Sequence, residues 1–328
     1  MKKTKSRLIS PLVQVARVIV GVLFIFSGAV KLVDPIGSQY KFEEYFSDGV
    51  LGLEFLIPFA LYFSVFLIVL EIFLGFAILF GYRAKKMIKY ALVLIIFFLF
   101  LTWFSAFFNK VTDCGCFGDA IKLTPWQSFY KDVILTILIV FLYKNREDIY
   151  PLFSREKVTV ITVSSLLLSL FIAIYTIYHI PVIDFRAYKV GTNIPEGMKY
   201  QGDGKIPPIH DFMLEDEQSD LANDILKMDK AILVIASSIE KSEFDGFPEV
   251  KKFSLEAQRK GYKVYGVTAS FSEIIELTQK NYNLPFKFLF CDETTLKTMI
   301  RANPGVIILN KGIIIEKKSW RDLDDIEL

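Results

Sequence analysis

The chain has 328 residues, 53% of them hydrophobic and 23% charged, with a mean hydropathy of +0.41. Those values suit an apolar half joined to a polar half, and the length accommodates a membrane unit plus one soluble domain. A net charge of +2 gives no footprint for a nucleic-acid partner, and three cysteines are too few for a disulfide scaffold.

A helix needs about 20 predominantly apolar residues to cross a bilayer core. Five stretches meet that need: Leu12 to Leu32, Phe55 to Phe80, Met87 to Phe108, Phe129 to Tyr143 and Val158 to Tyr178. The fourth is short and carries Lys131 and Asp132 near its start, with Trp126 and Tyr130 as an interfacial anchor. The first apolar run is too long for a signal-peptide core and is not followed by a small-residue cleavage site, so an uncleaved first span is expected. Basic residues alternate with acidic ones from loop to loop. Lys2, Lys3, Lys5 and Arg7 precede span 1, whereas Asp34, Glu43, Glu44, Asp48 and Glu54 follow it. Arg83, Lys85, Lys86 and Lys89 follow span 2, Asp113 and Asp119 follow span 3, and Lys144, Arg146, Arg155 and Lys157 follow span 4. The bias predicts a cytoplasmic N-terminus, five crossings, and an extracytoplasmic position for the 113–119 loop and everything after Pro181.

Beyond Val182 the periodicity changes. Short apolar segments at Ala231 to Ala236, Tyr262 to Val267, Phe286 to Phe290, Val306 to Leu309 and Ile313 to Ile315 read as strands. They alternate with helical patterns at Glu249 to Arg259, Ser272 to Gln279 and Thr294 to Ile300, which predicts a mixed α/β domain. Asn310-Lys311-Gly312 signals a hairpin between the last two strands. The expected division is a four-helix membrane domain over 1–145, a fifth span within 146–181, a linker over 182–208 and the α/β domain over 209–328.

Ionisable groups within spans are functional candidates by default. Arg17 and Glu71 are expected to pair, as a packing clamp first and a proton relay second. Lys31 and Asp132 fall at one level near the outer ends of their spans, so they either pair or leave Lys31 to snorkel. The segment Asp113-Cys114-Gly115-Cys116-Phe117-Gly118-Asp119 is where thiol chemistry announces itself. Two thiols around one glycine can close only a strained ring, which makes a disulfide labile and oxidising. Three readings stay open. The favoured one is a redox-active pair of Cys114 and Cys116. A structural disulfide follows, helped by Asp113 and Asp119, which disfavour thiolate. A metal site comes last, since His179 and His210 lie far along the chain. Cys291 ends a predicted strand and reads as a core thiol, with a transient pairing to the loop left open.

The order Arg17, Gly21, Phe24, Gly28, Lys31, Asp34, Pro35, then Glu71, Gly75, Gly81, then Cys114 to Gly118 resembles the DoxX/MauE-like membrane proteins over about the first 145 residues. That resemblance implies a four-helix bundle in a bacterial inner membrane, linked to extracytoplasmic redox or disulfide metabolism, with a quinone as a candidate electron carrier and no metal expected. The later part resembles a thioredoxin-like domain of the TlpA or peroxiredoxin-related kind. Ala231 to Ser237 is similar to its active-site strand, Ser272 to Cys291 to the extra helix–strand unit of that branch, and Asn303-Pro304-Gly305 to its cis-proline loop. Where that family carries Cys-x-x-Cys, this chain has Ser237-Ser238-Ile239-Glu240-Lys241-Ser242. A domain without that thiol cannot exchange disulfides there. It is expected to bind a partner protein through Asn303, Pro304 and Gly305, or to shield the cysteine loop. The function expected is therefore a membrane accessory of thiol–disulfide metabolism, with an extracytoplasmic redox partner. The alternatives are a non-enzymatic scaffold and a small-solute transporter using Arg17 and Glu71, the latter disfavoured by the lack of an inverted repeat.

Overall fold

The computed structural model describes residues 3–111, 115–200, 202, 204 and 206–328, with side chains from residue 11 onward. The chain divides into two compact units, Met1–Tyr175 and Thr176–Leu328.

The first unit is helical: α1 (Lys3–Val33), α2 (Pro35–Phe46), α3 (Ala60–Phe80), α4 (Ala84–Phe108), α5 (Pro125–Lys144) and α6 (Arg155–Tyr178), with 3-10 turns at Glu54–Phe59 and Arg146–Asp148. Five of these segments are long and apolar enough to cross a bilayer, and they include the five stretches expected from sequence. The chain is a multi-pass membrane protein. Large apolar side chains such as Phe66, Val93, Ile96, Ile137 and Leu167 stand exposed on these helices, as lipid-facing residues do.

Helix α2 was not expected; its polar, acid-rich sequence reads as a loop. Its start signal is nevertheless local. Asp34 Oδ1 accepts a hydrogen bond from Gly37 N at 2.9 Å, and Pro35 occupies the first helical position. The helix buries Tyr45 and Phe46 and leaves Glu43 and Glu44 half-buried, so one side is packed and the other partly open. Thr124 and Gln127 cap α5 reciprocally, fixing where the helix resumes after the cysteine loop.

The closest helix pair is α1 with α3, which run antiparallel. A Cβ on Gly28 would lie 2.5 Å from Ile72 Cγ1, one on Gly75 would lie 2.9 Å from Ile25 N, and one on Gly21 would lie 2.8 Å from Leu79 Cβ. Glycine alone allows backbones this near, and with little hydrophobic drive between helices in lipid, such close packing holds them together. The three contacts also set a register in which facing residue numbers add to 100.

The second unit is a five-stranded sheet in the order β3-β2-β1-β4-β5. Its elements in chain order are α7 (Ile194–Gly197), α8 (Ala222–Ile225), β1 (Ala231–Ile235), α9 (Gly246–Arg259), β2 (Lys263–Thr268), α10 (Ser272–Tyr282), β3 (Phe288–Phe290), α11 (Glu293–Met299), β4 (Gly305–Asn310) and β5 (Ile313–Ser319). β1 pairs in parallel with β2 and antiparallel with β4, β2 pairs in parallel with β3, and β4 pairs antiparallel with β5. All five β1 residues are buried, as befits a central strand covered on both faces. Ile232 and Val234 join Val250, Phe253 and Ala257 of α9 on one face. Leu233 and Ile235 join Leu296 and Met299 of α11 on the other. The expected strands and helices are present to within a few residues, and Lys311 and Gly312, both at positive φ, make the two-residue hairpin turn.

The stretch 182–208 behaves differently from a free linker. Tyr188 and Ile194 are buried in the core of this unit. Arg186 is buried too, with its Nε and Nη2 donating to the two Asp184 carboxylate oxygens at 2.7 and 2.8 Å. Lys317 Nζ on β5 donates to Asp184 Oδ2 at 2.8 Å and to the Tyr188 carbonyl at 2.7 Å. The charges in this segment are spent on docking it against the sheet.

Candidate functional site

The helical unit holds a partly open cavity between α1, α2, α3, α4, α5 and the loop that follows α4. Its walls are mainly apolar, but they bring together Lys31, Glu71, Lys131, Asp132, Thr102 and Cys116.

The α1–α3 register explains the pairing. With facing numbers adding to about 100, Glu71 falls opposite Lys31, and the two form a buried ion pair. The expected Arg17–Glu71 pair is not what forms, because the same register carries Arg17 beyond the end of α3. There Arg17 Nε donates to the Ile78 and Leu79 carbonyls at 2.9 and 3.1 Å, and Nη1 donates to Gln14 Oε1 and the Tyr150 carbonyl at 2.9 and 3.0 Å. Arg17 thus caps the last carbonyls of α3, a position where a cation also suits the helix dipole. Of the two readings open for Lys31, pairing with Asp132 or snorkelling, neither describes its contact with Glu71. Asp132 Oδ1 lies 3.0 Å from Lys131 Nζ, and its Oδ2 accepts from Thr102 Oγ1 of α4 at 3.0 Å. Lys31 and Asp132 still meet in a looser sense, since both line the one cavity.

Each lysine also lies over an aromatic ring. Lys31 Nζ sits 4.8 Å from the centre of Phe98, and Lys131 Nζ sits 4.9 Å from that of Phe117. The carboxylates are buried to 4% and 1% exposure for Glu71 and Asp132. Among the described residues, Glu71 Oε2 and Asp132 Oδ1 receive no hydrogen bond, although each has an ammonium within ion-pair reach. The ammonium in each pair is therefore the partner that offsets the desolvated carboxylate oxygen.

The cysteine loop forms one wall. Ser27 Oγ of α1 donates to the Cys116 carbonyl at 2.9 Å, and Phe117 packs on Phe26 with ring centres 5.5 Å apart. Gly115 and Gly118 both hold positive φ, which lets this short turn fold back over α1 and α2. Cys116 is half-buried at the cavity. Cys114 lies outside the described residues, so the expected Cys114–Cys116 disulfide does too. Among the described residues, no group of three or more His, Cys, Asp or Glu side chains converges as a metal centre requires.

Sequence reasoning named Lys31, Glu71, Asp132 and Cys116 but passed over Lys131 and Thr102. Lys131 carried the same signal as Asp132, an ionisable group at the start of a span. Thr102 carried none.

In the second unit, Asn303, Pro304 and Gly305 form the turn entering β4, and the Asn303–Pro304 peptide is cis. Because Ile235 pairs with Gly305, that turn must lie beside the segment leaving β1. Asn303 Nδ2 donates to the Ser238 carbonyl and Ser242 Oγ donates to Asn303 Oδ1, both at 2.9 Å. Ser270 Oγ and Ser238 Oγ donate to Glu240 Oε2 at 2.6 and 2.8 Å. The Ser270 bond, chief among these contacts, holds the Glu240 carboxyl below its ordinary range. Cys291 is buried, and that burial pushes its thiol up to about 12, so it rests as an unreactive thiol.

The helical unit has a recognisable relationship. Residues 9–144 match the protein family described as "Methylamine utilisation protein MauE". The chain is also 26% identical over 256 residues to "Protein TlpB" of Flavobacterium psychrophilum, an alignment covering 74% of this chain. The matched region spans 59% of that relative's length. No solved structure matches.

Proposed function

We propose that this protein is a membrane-bound accessory of extracytoplasmic thiol–disulfide metabolism. In this reading Cys114 and Cys116 cycle between dithiol and disulfide, exchanging two electrons with a partner protein or with a quinone-class carrier held in the membrane. The observation that carries it is the position of Cys116 on the wall of a charged, largely apolar cavity among the spans. Such a cavity gives a lipid-soluble acceptor apolar walls for its ring and polar groups for its oxygens. The match of residues 9–144 to MauE and the likeness to TlpB are consistent with it. The arrangement proposed in the cell is an inner-membrane protein with a cytoplasmic N-terminus, so that the cysteine loop and the α/β unit face the oxidising side.

The second unit is, on this account, a thioredoxin-like docking module without its own thiols. The strand order, with β1 between a parallel and an antiparallel neighbour, supports that reading. So does the proline turn held beside Ser237 to Ser242, where a thiol pair would otherwise stand. Serines there leave Cys114 and Cys116 as the redox pair.

Substituting Cys116→Ser tests the reading. If exchange occurs, Cys114 then accumulates a mixed disulfide that diagonal gels separate and mass spectrometry identifies. A variant that traps no partner, in a chain whose wild-type pair also fails to reduce decylubiquinone, removes both routes for the electrons.

A further inference from the structure

Two buried carboxylates in one intramembrane cavity call for a physical reason. A charged pair among lipid-embedded helices costs desolvation that an apolar pair of the same volume avoids, so two such pairs are poor devices for stability. Lys131 and Asp132 are also adjacent in sequence, and neighbours on a helix do not ordinarily face one another. Here both turn to the same cavity that receives Lys31 and Glu71. Glu71 and Asp132 are 4% and 1% exposed, and both line the cavity that Cys116 also lines. Each lysine, by contrast, retains an aromatic face that holds it when its carboxylate partner becomes neutral.

We infer that Glu71 and Asp132 are the proton acceptors for thiol oxidation at Cys116. The inference rests on the redox reading proposed above and assigns it a proton route. Oxidation of two thiols to a disulfide breaks two S–H bonds, forms one S–S bond, and releases two electrons and two protons. A quinone-class acceptor takes up both electrons and, after two proton transfers, leaves as the hydroquinone. The two carboxylates hold the two protons in transit, between the wall that carries Cys116 and the acceptor oxygens in the cavity. When Glu71 or Asp132 takes a proton, its lysine keeps a positive charge that the carboxylate no longer offsets. That is the charge that stabilises the negative oxygen developing on the acceptor. Thr102 acts as a positioning residue, fixing the Asp132 carboxylate through its 3.0 Å hydrogen bond.

The full chain in detergent micelles, reduced and freed of reductant, is mixed with decylubiquinone, and loss of maleimide-reactive thiols is followed in time. Glu71→Gln and Asp132→Asn remove the base and keep the shape, and the new amide oxygen of Asp132→Asn can still accept the Thr102 hydrogen bond. Each should slow oxidation by about 10²- to 10⁴-fold, the ordinary span for a lost general base. Glu71→Asp should recover much of that loss. The pH profile supplies a readout that packing alone does not move. The titratable groups facing the cavity are Lys31, Lys41, Tyr45, Glu71, Cys116, Lys131 and Asp132. In both amide variants the rate should climb about tenfold per pH unit as hydroxide replaces the missing base, more steeply than in the wild type. Should Glu71→Gln fail to fold, Asp132→Asn alone decides. An Asp132→Asn variant that is folded, with wild-type rate and pH profile, overturns the inference while leaving the redox reading intact. Wild-type thiols that do not react with the quinone at all overturn the quinone route itself.

Discussion

Removing one member of the Lys31–Glu71 pair should destabilise the helical unit far more than removing both. The two side chains are 10% and 5% exposed, and Lys31 is the ion-pair partner of Glu71 Oε2, which receives no hydrogen bond among the described residues. Lys31→Met therefore leaves a carboxylate without its counter-ion among the spans. Breaking a buried pair costs about 3–5 kcal/mol, and a charge at the centre of a membrane helix costs about 2.5–3.5 kcal/mol on insertion scales. The two figures meet near ~3 kcal/mol, and Glu71→Leu should cost a similar amount through the orphaned ammonium, less what Phe98 returns. In the double variant Lys31→Met/Glu71→Leu both desolvation terms vanish, and the net loss should fall within about 1 kcal/mol. Reversible unfolding of the full chain in mixed dodecyl maltoside and SDS micelles, followed by circular dichroism, reads these differences. A parallel cycle of Arg17→Met with Glu71→Leu should be additive to about 0.5 kcal/mol, because Arg17 spends its donors on the carbonyls of Ile78 and Leu79 at the end of α3 and of Tyr150. Additive behaviour of Lys31 with Glu71, or strong coupling of Arg17 with Glu71, would show the α1–α3 register to be wrong.

Further outcomes follow from the packing and from the second unit. Gly75→Ala places a Cβ 2.9 Å from Ile25 N and 3.0 Å from the Gly21 carbonyl, so α1 and α3 must part, at about 1–3 kcal/mol in the same assay. Gly49→Ala, with nothing within 4 Å of its Cβ, is the matched control and should shift stability by less than ~0.5 kcal/mol. Burial holds the Lys317 ammonium down to about 8, below the ordinary 10.4 or so of an exposed lysine. The unfolded chain then binds more protons than the folded one between those values. Stability of the α/β unit should therefore rise with pH across that window, by up to ~3 kcal/mol. Comparing thermal midpoints at pH 8 and pH 10 for the wild type and Lys317→Met tests this, and equal slopes in the two proteins would refute it.

The parts legible in the sequence are those set by long-period or strongly local signals. Five apolar runs gave five membrane helices because lipid allows few other ways to satisfy a backbone. The strands of the second unit were visible because β1 is buried on both faces and reads as unbroken Ala-Ile-Leu-Val-Ile. Helix α2 was missed because its acid-rich surface outweighed the Asp34-Pro35 start signal. The partners of Glu71 were missed for a different reason. Depth was judged from the ends of the apolar runs, whereas pairing is set by where Gly21, Gly28 and Gly75 let two backbones touch. Those glycines were in view as part of a family resemblance, and their use as a ruler for register appears only once the helices are packed. The same depth argument left a Lys31–Asp132 pair open beside a snorkelling Lys31, but the lysine adjacent to Asp132 in the chain competes at 3.0 Å. The stretch 182–208 looked like a linker because its polar composition hides two charged groups, Asp184 and Arg186, that join Lys317 of β5 in one cluster around the Asp184 carboxylate when it docks.

The redox state of the cysteine loop in living cells tests the central claim most directly. Free thiols are trapped with a mass-tagged maleimide in intact cells, with respiration running and with it inhibited. Cys114 and Cys116 should be bridged in respiring cells and gain two tags when respiration stops, while Cys291 stays out of the count as a buried thiol. A pair that remains bridged under both conditions would contradict electron transfer and leave the structural-disulfide reading.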